Sequence, residues 1–430
     1  MQQAQKGGVM KKVFFAILCF VLLAGIAVTA MAGTVIALRG DGRVVFIDDK
    51  TEEISGKIIT DGIAGALGSV TPDGKLLYVT NNFLGQYTVS IIDLKNRTLI
   101  KNLPTGPRPK VSLVSPDGKW VVVNHSNVEQ GKIVIAIIDT SNNNVKHSVR
   151  IDVNNLAYKG DISMHLIWTR DSKYFIVGNY ADNTVHVIDA ATGKEAVKLQ
   201  VDGNPHYFSI TPDDKELWVL VEGEEGASGK IVGCPNIHVY NIANLVTAAP
   251  GAAPEGSFCM ILKKEEVSEG HHGAFTRDGK FYYMTNRGPG PDFAGTSINI
   301  FDVATKKQVA HLNAGGKGQG HPYMSADGKY VAITQYGSNI ITFIDAREHK
   351  IVKEIPVGSG KHVGFMAFTK DGEKAFVTNR DDDAVYVIHM KKLEVKKKIE
   401  TAEPDRKFKT QWQVLNGYYN VFETTEKYID

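Results

Sequence analysis

Val70-Thr71-Pro72-Asp73-Gly74-Lys75-Leu76-Leu77-Tyr78-Val79-Thr80-Asn81 joins an apolar stretch to a tight turn and then to a β-rich run ending in Asn. The phrase returns at Ser115-Pro116-Asp117-Gly118-Lys119, Thr169-Arg170-Asp171-Ser172-Lys173, Thr211-Pro212-Asp213-Asp214-Lys215, Thr276-Arg277-Asp278-Gly279-Lys280, Ser325-Ala326-Asp327-Gly328-Lys329 and Thr369-Lys370-Asp371-Gly372-Glu373. The turn aspartates are spaced by 44, 54, 42, 65, 49 and 44 residues. A repeat of that length made only of short strands is the period of a propeller blade. Each copy reads as four strands: one before the Asp-Gly turn, one after it, a third alternating toward Ile-Asp as in Thr184 to Asp189, and a basic, apolar edge such as Lys350 to Ile355.

Seven full copies run from about Gly62 to Thr401, and three strands precede them, Thr34 to Leu38, Arg43 to Ile47 and Glu53 to Ile59. These read as a blade lacking its inner strand, which residues 417–423 are expected to supply, so that no sheet edge stays open. The expectation is an all-β chain folded as an eight-bladed β-propeller, with seven blades as the alternative. It fills residues 33–430 as one domain and is closed by strands 34–59 together with 417–423.

At 430 residues the chain is too long for one ordinary core, and a repeating architecture answers that. Lys plus Arg at 49 against Asp plus Glu at 47 leaves none of the basic excess that a phosphate backbone demands, so no nucleic acid is expected as a partner. Lys11-Lys12, the apolar run Val13 to Val28 and Ala30-Met31-Ala32 read as a signal peptide over residues 1–32, cleaved after Ala32, with a retained anchor as the alternative. Its removal takes away Lys6, Lys11, Lys12 and Cys19 and no acidic residue, so the formal charge falls from +2 to −1. A periplasmic or secreted protein with no membrane span after cleavage is expected. Cys234 and Cys259 then remain and can form a disulfide in an oxidising compartment, and the absence of Cys-x-x-Cys-His excludes covalently attached heme c.

In a propeller the first strand of each blade lines the central channel, and residues six to nine before the turn Asp ring one mouth of it. His165, His206, His271, His272, His321 and His362 fall in that window, and His125 ends a second strand on the same face. Neutral imidazoles converging on one point suit copper, zinc or iron, so these seven are the candidate metal ligands. His271, His272 and His321 are the candidate catalytic residues. Arg287, Tyr336 and Arg380, at second-strand ends, are the candidate cofactor-binding groups, since a fixed guanidinium pairs with carboxylates or oxyanions. The plainer alternatives are a water-filled channel in which His is one polar lining residue, and arginines that only bond loop carbonyls. His147, His186, His238, His311, His349 and His389 fall on third and fourth strands and read as structural.

Tyr78-Val79-Thr80-Asn81 resembles the propeller repeat named after that tetrapeptide, a class that serves binding, structural and enzymatic proteins alike. Glu269-Gly270-His271-His272-Gly273 with Gly320-His321-Pro322-Tyr323 is similar to the heme d1 propeller of cytochrome-type nitrite reductases, where two channel-mouth histidines face the substrate side of the heme iron. Residues 360–372 and 380–383 are similar to the last blade of that family and of the periplasmic heme d1 biogenesis dehydrogenases. The iron-binding His of the family belongs in the first complete blade, where this chain has Gly65 and Ala66. The His-His pair with single histidines from other blades also resembles the copper propellers of nitrous oxide reductases and thiocyanate dehydrogenases. These resemblances imply a metallocofactor, either a heme d1-like tetrapyrrole or copper, an oxidoreductase or cofactor-handling role in nitrogen-oxide-type respiration if the protein is an enzyme, a small anionic or tetrapyrrole ligand, and an external electron-transfer partner. A propeller lactonase and a non-catalytic interaction scaffold are the readings from other classes.

Overall fold

The computed structural model describes residues 33–60, 65–83, 85–222, 224–225, 231–232, 236–247, 257–261, 270–288, 294–401 and 411–416. They form eight four-stranded antiparallel sheets whose inner strands pack successively around one ring. In chain order, blade 1 is Thr34–Ile59, and blades 2 to 8 begin with the inner strands Gly65–Val70, Pro109–Val114, Leu166–Trp168, Asn204–Ile210, Gly270–Phe275, Gln319–Met324 and Val363–Phe368. The inner strand of blade 1 comes from the other end of the chain. It is Gln411–Asn416, paired antiparallel with Thr34–Arg39. The stretch 417–423 expected for that place lies outside the described residues, as do the expected leader 1–32 and Cys234, the expected partner of Cys259. The shift has a simple cause: the segment after Thr401 carries no turn phrase to set its register. Among the described residues, no helix is long and apolar enough to cross a membrane.

The repeated turn holds blades 2 to 8 by the same bonds. Thr71 Oγ1 donates to Asp73 Oδ1 (2.7 Å), the Lys75 N–H donates to the same oxygen (3.1 Å), and the Leu76 N–H donates to Thr71 Oγ1 (3.0 Å). Gly74 adopts φ +69°, the left-handed conformation that this turn requires and that Ser172 and Asp214 supply in blades 4 and 5. Cores form between blades. Ile36, Leu38 and Phe46 of blade 1 pack on Leu77, Val79 and Ile92 of blade 2, and Val35, Ala37 and Ile47 pack on Phe376, Val385 and Val387 of blade 8.

Blade 1 is thus clasped by both ends of the repeat array, and a buried ion pair fixes the clasp. Arg39 is 1% exposed. Its Nη1 and Nη2 donate to the two carboxylate oxygens of Asp383 (2.6 and 3.0 Å), Nη1 also donates to Thr401 Oγ1 (3.0 Å), and Nε and Nη2 donate to Asp41. Near the outer edge, Glu52 of blade 1 pairs with Lys374 of blade 8 (2.8 Å).

Removing one partner of a buried charge strands the other, which typically costs about 3–5 kcal/mol. Asp383→Asn keeps the shape and removes the charge, and with Asp41 still in place it is expected to cost about 3 kcal/mol. Urea midpoints measured against the exposed control Glu53→Gln check this. A loss below about 0.5 kcal/mol would show that the clasp is not tied here.

Candidate active site at the channel mouth

Strand pairing explains how two consecutive histidines enter one channel. An ideal strand alternates its faces, so His271 and His272 would point apart. The pairing with the second strand instead jumps from Gly270↔Asn286 to Gly273↔Met284, leaving both histidines opposite Thr285 alone. This is a bulge, and bulges re-aim side chains. The same jump occurs at Gly65/Gly68, Pro109/Ser112, Pro205/Tyr207, Gln319/Pro322 and Val363/Met366. Second-strand side chains hold the bulges of blades 3, 6, 7 and 8. Thr285 Oγ1 accepts from the His272 N–H (3.3 Å) and lies 2.5 Å from the Gly320 carbonyl, Thr334 accepts from the His321 N–H (3.3 Å), Thr378 from Phe365 (2.9 Å) and Asn124 from Val111 (2.9 Å). The Thr of the tetrapeptide repeat therefore fixes where the channel residues point.

Counting back from the turn Asp gives the channel tiers. Six residues before it stand Leu67, Val111 and Phe365 in blades 2, 3 and 8, and His165, Tyr207, His272 and His321 in blades 4 to 7. One side of the channel is apolar and the other is imidazole and phenol. Seven residues before it stand His206 and His271. These five histidines converge, with ring centroids 4.8 Å apart for His165 and His206, 4.9 Å for His165 and His272, 4.8 Å for His206 and His271, 3.9 Å for His271 and His272 and 4.0 Å for His272 and His321.

His362 and His125 do not join them. His362 precedes its inner strand at φ +60°, and its Nδ1 pairs with Asp381 (3.0 Å) at the rim; the blade 8 residue in the tier is Phe365, stacked on His321 at 4.8 Å. His125 is buried but faces its own sheet, Nδ1 against the Val134 carbonyl (2.7 Å) and Nε2 near Thr105 Oγ1 (3.2 Å). Both were candidate ligands, and neither is placed with the cluster.

The electrostatics keep the cluster neutral. Burial, followed by neighbouring imidazoles and the Arg287 guanidinium, drives His165, His206, His271, His272 and His321 well below the ordinary imidazole range. Tautomers follow from the partners. His206 Nδ1 faces the buried carboxylate of Glu222 (3.1 Å) and the Tyr180 hydroxyl, which itself donates to Glu222 (3.4 Å). A carboxylate only accepts, so the proton sits on Nδ1 and the Nε2 lone pair is free; that buried atom has no hydrogen-bond partner among the described residues. His271 has the opposite arrangement: Nε2 accepts from Arg287 Nη1 (3.4 Å), which places its N–H on the unpartnered Nδ1. His272 Nε2 and His165 Nε2 lie 3.2 Å apart, and the Tyr336 hydroxyl is 2.8 Å from His321 Nδ1.

Arg287, Tyr336 and Arg380 all stand at this mouth. Arg287 Nη2 donates to Glu222 (3.3 Å), burial lowers the Arg380 pKa, and burial keeps the Tyr336 phenol protonated. Sequence reasoning missed Glu222 and Tyr180. The signal was present, because Tyr180, Glu222, Arg287, Tyr336 and Arg380 each stand nine residues after their turn Asp. Asp161, by contrast, pairs with Arg108 (2.7 Å) and Lys110 (3.0 Å). Of the glycine-rich insertion beside Arg287, residues 289–293 lie outside the described residues.

These imidazoles make a pH prediction. A histidine with a depressed folded pKa takes up its proton first in the unfolded chain, so its contribution to stability is complete above the unfolded value near 6.5 and is lost as pH falls below it. His125, pushed down to about 4, and the five cluster histidines should each remove up to about 1.4 kcal/mol per pH unit there. Denaturation midpoints should therefore be flat from pH 8 to 7 and fall steeply from 6.5 to 5, less so in His271→Gln/His321→Gln. A flat profile to pH 5 would mean that the cluster is hydrated and protonated.

The cytochrome D1 heme domain family matches residues 337–413, the part of the chain that includes the last blade. Dihydro-heme d1 dehydrogenase of Pseudomonas aeruginosa is 22% identical over 386 residues, covering 87% of this chain and 70% of that protein. A solved dihydro-heme d1 dehydrogenase in complex with DHE superposes with a TM-score of 0.68 at 19% identity, over 90% of this chain and 75% of that one. Kuenenia stuttgartiensis hydrazine synthase superposes with a TM-score of 0.55 at 20% identity, over 76% of this chain and 95% of that one. Fold, relative and family match agree: the chain is similar throughout to the d1-type β-propellers.

Proposed function

We propose that this protein is an exported, periplasmic d1-type propeller whose channel mouth binds a heme d1-class tetrapyrrole and takes part in its redox chemistry or handling. The observation that carries the reading is the convergence of five buried, neutral imidazoles beside Arg287 and Arg380 at one mouth. The donor chemistry fits such a group: the orphaned His206 Nε2 offers a lone pair, the orphaned His271 Nδ1 offers a hydrogen, and the guanidiniums suit ring carboxylates. Similarity to a dehydrogenase of dihydro-heme d1 supports the same class of ligand.

When bound, the tetrapyrrole would supply a redox-active metal in a conjugated ring. The chain's own work is to bind and to position. Arg287 and Arg380 hold anionic edges, His271 donates a hydrogen bond into the mouth, and the Tyr336 hydroxyl orients His321. Leu67, Val111 and Phe365 keep the opposite wall dry. The Tyr180–Glu222–Arg287 network is a buried charge balance that holds or passes a proton at His206 Nδ1. The iron-binding His that the resemblance places in the first complete blade has no counterpart at Gly65 and Ala66, so histidines of blades 4 to 7 would hold the metal of such a group. If the tetrapyrrole is redox-active, electrons would come from or go to an external carrier.

Titrating the purified protein with a heme d1-class tetrapyrrole, followed by its visible band, tests the reading. One equivalent should bind. Arg380→Gln should weaken binding at least tenfold, and His321→Ala should weaken it more, with His186→Ala unchanged. Absence of binding to the unaltered protein, or equal binding by all variants, returns the molecule to the interaction-scaffold reading.

A further inference from the structure

The nitrogen positions within the cluster are not equivalent, and their differences point to a second kind of occupant. Ligand nitrogens of His165, His206 and His272 lie within 4.8 Å of one another, contributed by blades 4, 5 and 6. Two nitrogens bound to one tetrahedral metal at 2.0–2.1 Å stand about 3.3 Å apart. The 3.2 Å between His165 Nε2 and His272 Nε2 matches that spacing. His206 completes the triangle, and its Nε2 is fully buried and unpartnered. Its opposite nitrogen is held by Glu222, which in turn is held by Arg287. A carboxylate that fixes the tautomer of an imidazole and aims its lone pair is the outer-shell arrangement of metal-binding histidines.

We propose that His165, His206 and His272 bind a single borderline transition-metal ion directly, of the zinc, cobalt or copper class, and that Glu222 is the positioning residue that orients His206. Three neutral nitrogens and no thiolate or carboxylate ligand favour these ions over magnesium or calcium. A tetrahedral ion would have a fourth position open to a water or small anion, and His271, whose ring lies 3.9 Å from that of His272 and whose Nδ1 is unpartnered, would be a nearby hydrogen-bond donor. His271 and His321 are therefore neighbours of the site and not ligands. The proposal stands on nitrogen geometry and does not require the tetrapyrrole reading.

Cobalt(II) alone, added to the tetrapyrrole-free full-length protein, is the probe. One equivalent should bind with the intense visible bands of a tetrahedral site. His206→Ala and, separately, His272→Gln should abolish those bands while near-ultraviolet circular dichroism shows a folded protein. Glu222→Gln should weaken cobalt binding 10- to 100-fold, with the coordination spectrum unchanged, and His362→Ala should leave it as in the unaltered protein. Tetrapyrrole titration of the same His206→Ala protein reports separately on that reading. Absence of cobalt bands in the unaltered protein overturns the metal site, and so does cobalt binding that survives both His206→Ala and His272→Gln. Glu222→Gln binding as tightly as the unaltered protein overturns the role of Glu222.

Discussion

Closure of the ring is the constraint on which everything at the channel mouth depends. Inner strands from successive blades face one axis only if the first and last blades are joined, and the join is made by a strand from the far end of the chain together with one buried guanidinium. Arg39 is expensive to bury, and Asp41, Asp383 and Thr401 satisfy it from both sides of the seam. Blade 1 contributes no turn phrase of its own and is held by its neighbours, its two faces packing on blades 2 and 8. An open array would leave an unpaired strand edge and a splayed channel.

The inner-strand bulge converts that ring into a chemical site. In blades 6 and 7 it sets two successive residues against one of the second strand, and a threonine hydroxyl from that strand takes up the N–H that the bulge frees. What chemistry results depends on the residues placed there. Blades 2, 3 and 8 put Leu67, Val111 and Phe365 into the tier, and blades 4 to 7 put imidazoles and a phenol. The apolar half excludes water, which keeps the imidazoles neutral and makes them ligands and hydrogen-bond partners in place of cations. Arg287 and Glu222 balance each other's charge at the mouth and, through it, assign the protons of His271 and His206.

The blade architecture was legible because the turn phrase is a local chemical device, with Thr or Ser, Asp and Gly each needed for a named bond or dihedral. The convergence of five of the seven candidate histidines was legible for the same reason, since a fixed count from the turn Asp fixes depth in the channel. His362 and Phe365 could not be told apart without the bulge, which decides the face, and His125 could not be turned toward its own sheet by counting alone. Glu222 was hidden because it follows Val221 and not the Asn that marks Arg287 and Arg380, whereas Tyr180 follows Asn179 just as they do, so its mark was present in the sequence. The closing strand was displaced because Gln411–Asn416 pairs by backbone bonds with Thr34–Arg39, a long-range match that leaves no local signature.

The central claim is that the imidazole side of the mouth is where this protein holds a metal, whether as a bare ion or within a tetrapyrrole. Anomalous X-ray diffraction from crystals of the protein purified from its own source, collected on both sides of the relevant absorption edge, tests it most directly. The account predicts one strong peak at bonding distance from a nitrogen of His165, His206, His271, His272 or His321. A peak only beside outer-strand histidines such as His186 or His389, or a map with no peak at all, would contradict it.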